Sequence, residues 1–481
     1  MKPKDLSILL LLTLGALLIH GYHPWAEDAE IYLPGIEKTL HPQLFPHNAE
    51  FFEAHEKSTL YPNLIAGSVR LTHLPLDVVL FAWHIASIFL FLLACWMLSA
   101  RCFASRRARW AAVALVAALL TIPIAGTALY ILDQYLNPRS FSAFLSIFAI
   151  VKCVDRKYVP AGLLMLVTFA IHPLMSVFTF SYCALLVLWP RFDRRTTTLA
   201  IALPFGVTFA PPPESYHLVA LSHPFHYITR WHWYEWLGVV GPLVIVWWFS
   251  RIAKSRQIPN LGMMCTALIL YECVYIPAAI VLSVVPRFEA LARLAPVRSL
   301  FLVYVLMFLF AGGLIGEYIL KNHFWRWLVL FIPICAGMFF AQRALFPASA
   351  HIAWPGVRSK NPWVQAFVWI RDNTPNDAYF ALNPQYMNLD GEDEQGFRAI
   401  AQRSQLADAV KDSGAVSMFP IMADEWLRQV QAQDRWQHFQ LQDFQKLKAD
   451  FGVTWIVAEQ PNVTGLDCPY QNSTVKVCRL P

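Results

Sequence analysis

A chain of 481 residues that is 57% hydrophobic and only 15% charged falls outside the ordinary soluble proteins, in which about a quarter of residues carry charge. Its formal net charge of +6 is no signal of nucleic-acid binding, because the basic residues lie in short clusters between apolar runs, the pattern that sets membrane orientation. The composition predicts a polytopic membrane protein.

The first apolar run, residues 6–19, is flanked by Lys2 and Lys4 and has no small-x-small cleavage site after it. It is predicted to be a retained signal anchor. Directly after it comes His20-Gly-Tyr-His-Pro-Trp-Ala-Glu27-Asp28-Ala-Glu30-Ile-Tyr32-Leu-Pro. Adjacent carboxylates just past a first membrane helix can take a proton from an incoming hydroxyl, hold a divalent cation, or face water. The plain alternative is a solvated helix start, with Pro24 ahead of acidic residues that suit the helix dipole. The pair belongs to a first outer loop, 21–76, in which 59–74 has the apolar spacing of a helix lying in the interface.

Further apolar runs at 77–100, 110–130, 141–154, 159–171, 174–189, 199–210, 237–250, 261–285, 300–320 and 325–340 bring the expected number of spans to about eleven. Several are short and meet Pro or His-Pro breaks, which are tolerated at membrane depth only where protein or a water-filled cavity satisfies the freed backbone. With the amino terminus inside, the basic clusters at 101–109, 152–157, 191–195, 251–256 and 321–326 all fall on the cytoplasmic side. The opposite face then gathers Glu27-Asp28, Asn137-Pro-Arg139, His172-Pro173, the aromatic and His-rich loop 211–236, and the loop 286–298. Arg287, Arg293 and Arg298 break the positive-inside rule there, and anion binding is the natural reason. Each candidate has a plainer alternative. The arginines can contact anionic lipid, Arg139 can cap a helix or snorkel, and His172 can fill a kink. Asp133 and Glu272, in or near apolar runs, are functional candidates without an assigned role.

From about residue 347 the composition becomes that of a small soluble α/β domain, which divides the chain into a transmembrane part, 1–346, and a carboxy-terminal part, 347–481. Asn361-Pro362 predicts a helix N-cap with proline at the first position; 378–382 and 453–458 are expected as strands, 404–411 and 421–433 as helices. The domain lacks a Gly-rich phosphate loop, an HExxH and a nucleophile elbow. Cys468 and Cys478 alone among the nine cysteines fall in this polar tail, which suggests one disulfide and an oxidising compartment, the alternative being two free thiols in a cytosolic tail.

An acidic pair in the first outer loop, an interfacial helix within that loop, many spans with broken helices and a carboxy-terminal outer domain together resemble the GT-C glycosyltransferases. The likeness covers nearly the whole chain, and its motif is Glu27-Asp28. The segment Trp369-Ile-Arg-Asp-Asn-Thr-Pro375 is similar to the linker into the periplasmic domain of bacterial members. The resemblance implies an all-α multi-pass enzyme of the bacterial inner membrane, its amino terminus cytoplasmic and its carboxy-terminal domain periplasmic. Its partners would be a polyprenyl-phosphate-linked sugar donor, a glycan, lipid or protein acceptor, and membrane lipids. Asp28 would be the base, with Glu27 as alternative or second anchor; Arg287, Arg293 and Arg298, helped by Arg139 and His172, would hold the phosphate. A divalent cation is an open expectation. Competing classes are a transporter or flippase, for which internal repeats would be expected and none is evident, a lipopolysaccharide-type ligase or polymerase, and a non-catalytic relative that binds a glycolipid.

Overall fold

The computed structural model describes residues 2–188, 213–285, 288–459 and 465–481; the expected span at 199–210 and the candidate Arg287 lie outside them. The chain opens with α1 (Pro3–His20), and its outer loop folds into α2 (Ala29–Leu40), α3 (Glu50–Ser58) and α4 (Tyr61–Thr72). The bundle continues with α5 (Leu76–Cys102), α6 (Arg106–Ala118), α7 (Pro138–Val154), α8 (Tyr158–Ile171) and α9 (Pro173–Leu188). It is completed by α10 (Glu214–Ser222), α11 (Trp233–Ser255), α12 (Pro259–Val284), the short α13 (Glu289–Ala292), α14 (Leu300–Ile315) and α15 (Phe324–Leu345).

Among the described residues six helices are long and apolar enough to cross a membrane: α1, α5, α11, α12, the segment Pro296–Leu320 that contains α14, and α15; α8 and α9 are apolar but shorter. About eleven spans were expected. The outward faces carry large apolar side chains such as Leu11, Trp247 and Val329, more than half exposed, as helices solvated by lipid do. This is a multi-pass membrane protein. α14 is the exception, buried on most sides against α6. Gly312 and Gly316 allow that approach, since a Cβ on either would come within 2.5 Å of Ala111. At one end of the bundle Arg106 pairs with Asp5 at 2.5 Å, Arg101 pairs with Asp155 at 2.6 Å, and Arg107 donates to Asn322, so basic clusters distant in sequence share one end.

The expected span at 110–130 is corrected. α6 stops at Ala118, and the chain then turns irregularly, with an isolated bridge between Pro123 and Tyr130 and positive φ at Ala125 and Ala128. Proline at 123 has no N–H to continue the helix. The stretch runs inside the bundle and leads to Asn137, whose side chain accepts from the Ser140 N–H at 3.0 Å and caps α7.

The carboxy-terminal part starts with α16 (Pro362–Asn373), capped by Asn361 through the N–H of Trp363 at 2.9 Å. It contains β1 (Tyr379–Ala381), α17 (Phe397–Ala401), β2 (Ser404–Gln405), α18 (Asp412–Met418), α19 (Ala423–Ala432), α20 (Leu441–Phe451), β3 (Trp455–Glu459), β4 (Asp467–Gln471) and β5 (Val475–Arg479). The sheet order is β2-β1-β3-β5-β4, with β1 parallel to both neighbours and β5 antiparallel to both of its own. The helix expected at 404–411 is instead β2 followed by a turn. Ser404 and Gln405 pair with Tyr379 and Phe380, and Asp408 accepts from the N–H groups of Val410 and Lys411 at 2.7 and 2.5 Å, a local bond that competes with helix.

The first outer loop is stitched to this domain. Tyr22 bridges Ile352 and Ala26 bridges Gln395; Gly21, at φ 78°, could carry no Cβ without meeting the His351 carbonyl at 2.5 Å. Glu30 accepts from the N–H groups of Arg398 and Ala399, each at 3.1 Å.

Cys468 and Cys478 are bonded across the final hairpin. Both thiols should resist alkylation until reductant is added, and the double serine variant should lose no more than about 3 kcal/mol, the value for a somewhat longer closed loop. Labelling of both thiols without reductant would contradict the pairing.

Candidate functional site

Six segments line a cavity of about 330 Å³: the acidic loop, α3, the irregular stretch before α7, the His-rich loop before α11, the turn before α14 and the loop between β2 and α18. Glu27 and Asp28 line it, as do Asp133, Arg139, Arg298 and Lys411, with His55, His223, His226, Tyr32, Tyr135 and Phe225. Glu27 stands at φ 57°, a backbone region costly for a side chain. Its N–H is fixed to the Glu394 carbonyl at 2.8 Å and the neighbouring Trp25 carbonyl accepts from Gly396 at 2.8 Å, so the kink is held from the carboxy-terminal side.

Arg139 lies between two carboxylates. Its Nη1 donates to Asp28 at 2.9 Å, while Nη2 and Nε donate to Asp133 at 3.0 and 3.2 Å. Asn137 also donates to Asp133, at 2.5 Å, and proline at the first position of α7 sets Arg139 on the first turn. Lys411 enters from the opposite side, donating to Glu27 and lying 3.4 Å from Asp28. It had no signal as a site residue in a segment expected to be helical; the turn-forming Asp408 and the flanking Asp412 are the traces that could have found it.

Burial pushes the Asp28 carboxyl up, but the charges of Lys411 and Arg139 outweigh it and hold the group well below the usual carboxylate range. Glu27 behaves alike, burial opposed by Lys411, and ends lowered. At both carboxylates the cations outweigh burial. Glu394, close by, is pushed up to about 9 by burial and then by the negative charge of Glu27, so it carries a proton at neutral pH. For Lys411, burial works against the ammonium, but Glu27 and Asp28 more than offset it and the charge is secured.

Of the arginines expected to bind phosphate, Arg139 and Arg298 line the cavity. Arg298 sits with its guanidinium carbon 5.7 Å from the Phe225 ring centre, and its buried Nε has no partner among the described residues. Arg293 does not line it; it donates to the Met418 carbonyl at 2.9 Å and so braces α18. His172 does not line it either; its Nδ1 accepts from the Met175 N–H at 3.5 Å at the start of α9, the plainer role of filling the kink. Arg287 lies outside the described residues. Glu272 is buried on α12 with Ser299 donating to it at 3.1 Å and is not part of the lining. The His-rich loop, noted in the sequence without a role, contributes His223 and His226. The Nδ1 of His226 is buried and unpartnered among the described residues.

No protein-family model matches the chain, and no curated protein matches it. Solved structures do. The archaeal oligosaccharyltransferase AglB from Archaeoglobus fulgidus, in complex with an inhibitory peptide and a dolichol-phosphate, is 14% identical over 95% of this chain and 69% of that one, with a TM-score of 0.47. The Archaeoglobus fulgidus oligosaccharyltransferase in complex with Zn and sulfate is 13% identical over 94% and 68%, with a TM-score of 0.42. Likeness at this level leaves the chemistry to be argued from the residues of this chain.

The histidines make the site sensitive to acid. Burial holds His55 down at about 4, against an ordinary 6.5 and despite Asp28 nearby; His223 and His226 are lowered by burial first and by Arg298 in addition. Between pH 6.5 and about 4 the unfolded chain takes up a proton that folded His55 refuses. Its contribution to stability is whole above pH 6.5 and declines toward pH 4, at up to about 1.4 kcal/mol per pH unit. The thermal midpoint of the purified protein should fall over that range, and His55→Gln should flatten the fall. An unchanged slope in that variant would exclude His55.

Proposed function

We propose that this chain is an integral-membrane glycosyltransferase that moves a sugar from a polyprenyl-phosphate-linked donor to an acceptor, with the cavity as its active site. The observation that carries this reading is what lines the cavity. Ionised Asp28 and Arg298, the latter with an unpartnered N–H, both face it. In the reaction the bond between the anomeric carbon and the phosphate oxygen breaks, the acceptor oxygen or nitrogen bonds to that carbon, and its proton passes to Asp28. The departing lipid phosphate is held by Arg298, whose planar fork suits it. Because Asp28 is held as a strong acid's anion, it accepts the proton only late, once the nucleophile has become acidic by bonding. Before that it orients the nucleophile. Glu27 is then an anchor for Lys411 and the second choice for base. The resemblance of the sequence to GT-C enzymes supports the same chemistry and implies a site on the periplasmic face of a bacterial inner membrane.

The test is sugar transfer from a labelled polyprenyl-phosphate donor in proteoliposomes, with donor binding measured alongside. Asp28→Asn keeps the shape and should cut transfer at least about 10²-fold while donor binding stays within about twofold. Transfer at the wild-type rate would remove Asp28 as base. Arg298→Ala should weaken donor binding about tenfold or more, and Arg298→Lys should restore only part of it; full binding by Arg298→Ala would remove the phosphate role. A glycolipid-binding protein without turnover is the second reading, favoured by both carboxylates of the pair being engaged by cations, and donor bound but never consumed would select it.

Orientation has its own test. A reporter active only in the periplasm, fused after Pro481, should be active, as the basic clusters predict. A fusion active only as a cytoplasmic reporter would remove the periplasmic site.

A further inference from the structure

An adjacent acidic pair in a half-open cavity calls for a cation, which can be a bound metal ion or a side chain. Divalent cations such as Mg²⁺ and Ca²⁺ take six or more oxygen ligands in open reach. The residues here do not fit one. The two oxygens of Asp28 already meet Arg139 at 2.9 Å and Lys411 at 3.4 Å, and Glu27 accepts from Lys411. Asp133 is committed to Arg139 and Asn137. Among the described residues there is no group of three or more His, Cys, Asp or Glu that could hold a metal ion.

Lys411 is also built to stay. Its side chain is 13% exposed. Its backbone N–H is fixed to Asp408 at 2.5 Å, and the next residue, Asp412, takes a two-pronged hydrogen bond from buried Arg398 at 2.8 and 2.7 Å. The backbone that carries the ammonium is thus fixed beside the pair, and Glu27 and Asp28 hold the ammonium itself. We propose that Lys411 is the resident cation of the acidic pair, standing where a divalent metal would otherwise bridge Glu27 and Asp28, and that the site works without a bound metal ion. The charge balance stands by itself; its consequence for turnover rests on the glycosyl-transfer reading.

The test uses the full chain in lipid nanodiscs and Mn²⁺ as the probe, with free Mn²⁺ followed by electron paramagnetic resonance. Wild-type protein should bind Mn²⁺ no tighter than about 1 mM. Lys411→Met should gain one site at least tenfold tighter, and adding Glu27→Gln should remove it. Lys411→Arg should gain nothing. A wild-type site tenfold or more tighter than that limit, weakened tenfold by Glu27→Gln, would overturn the proposal. So would a Lys411→Met variant that melts like the wild type and gains no site. If Lys411→Met does not fold, the wild-type and Glu27→Gln titrations still decide. Where transfer is measured, chelation by EDTA should leave the rate within twofold, and a tenfold loss restored by Mn²⁺ would also overturn it. Absence of any transfer from the polyprenyl donor would remove the functional reading and leave the Mn²⁺ result standing.

Discussion

Three carboxylates converge on one cavity, and ionised carboxylates away from bulk water persist only where cations stand against them. Glu27, Asp28 and Asp133 meet this condition through two cations, Arg139 and Lys411, each shared between a pair of acids. The sharing fixes geometry more than it adds stability, because buried ion pairs gain little net energy over apolar packing but lose about 3–5 kcal/mol when one partner is removed. The acidic loop, the stretch before α7 and the carboxy-terminal domain are thus locked together by charge. Lys411 cannot leave without stranding Glu27, and the acidic loop cannot leave without stranding Lys411.

Behind this lies a second buried cluster that the site does not expose. Arg398 is 1% exposed and holds Asp412, with Glu30 at 3.4 Å and Asp408 at 3.9 Å. Glu30 comes from the first outer loop, two residues after Asp28; Asp408 and Asp412 flank Lys411. One guanidinium therefore registers the acidic loop against the segment that brings its counter-cation. This gives the carboxy-terminal domain a direct place in the site, beyond any contact it makes with an acceptor.

The parts of the molecule that follow from local pattern were legible in the sequence. Apolar runs marked most of the long helices, Asn361-Pro362 marked a helix start, and 378–382 and 453–458 were legible as the strands β1 and β3. The acidic pair drew notice because charge is rare beside a membrane helix. Lys411 did not, since its meaning comes from contacts some 380 residues away along the chain. The run at 110–130 misled for a related reason. Its apolar residues are buried by protein as well as by lipid, and hydropathy alone cannot separate the two. Arg293 and His172 were sound candidates by residue type, but a carbonyl and a helix end take up their donors and acceptors.

The groups that line the cavity differ in what they leave unsatisfied. Each of its three carboxylates has a cation. Arg298 alone among the cations lining the cavity has no ion pair among the described residues, and its Nε lacks an acceptor. His226 beside it is kept neutral by burial and by Arg298. Its Nδ1 is buried without a partner among the described residues, and in the Nε2-protonated tautomer it is an open acceptor. A donor and an acceptor left open side by side call for a ligand that offers both kinds of group. A phosphate answers Arg298 and a hydroxyl answers His226, and a sugar joined to a phosphate offers both in one ligand. That complementarity is what the glycosyl-phosphate reading draws on at Arg298 and His226.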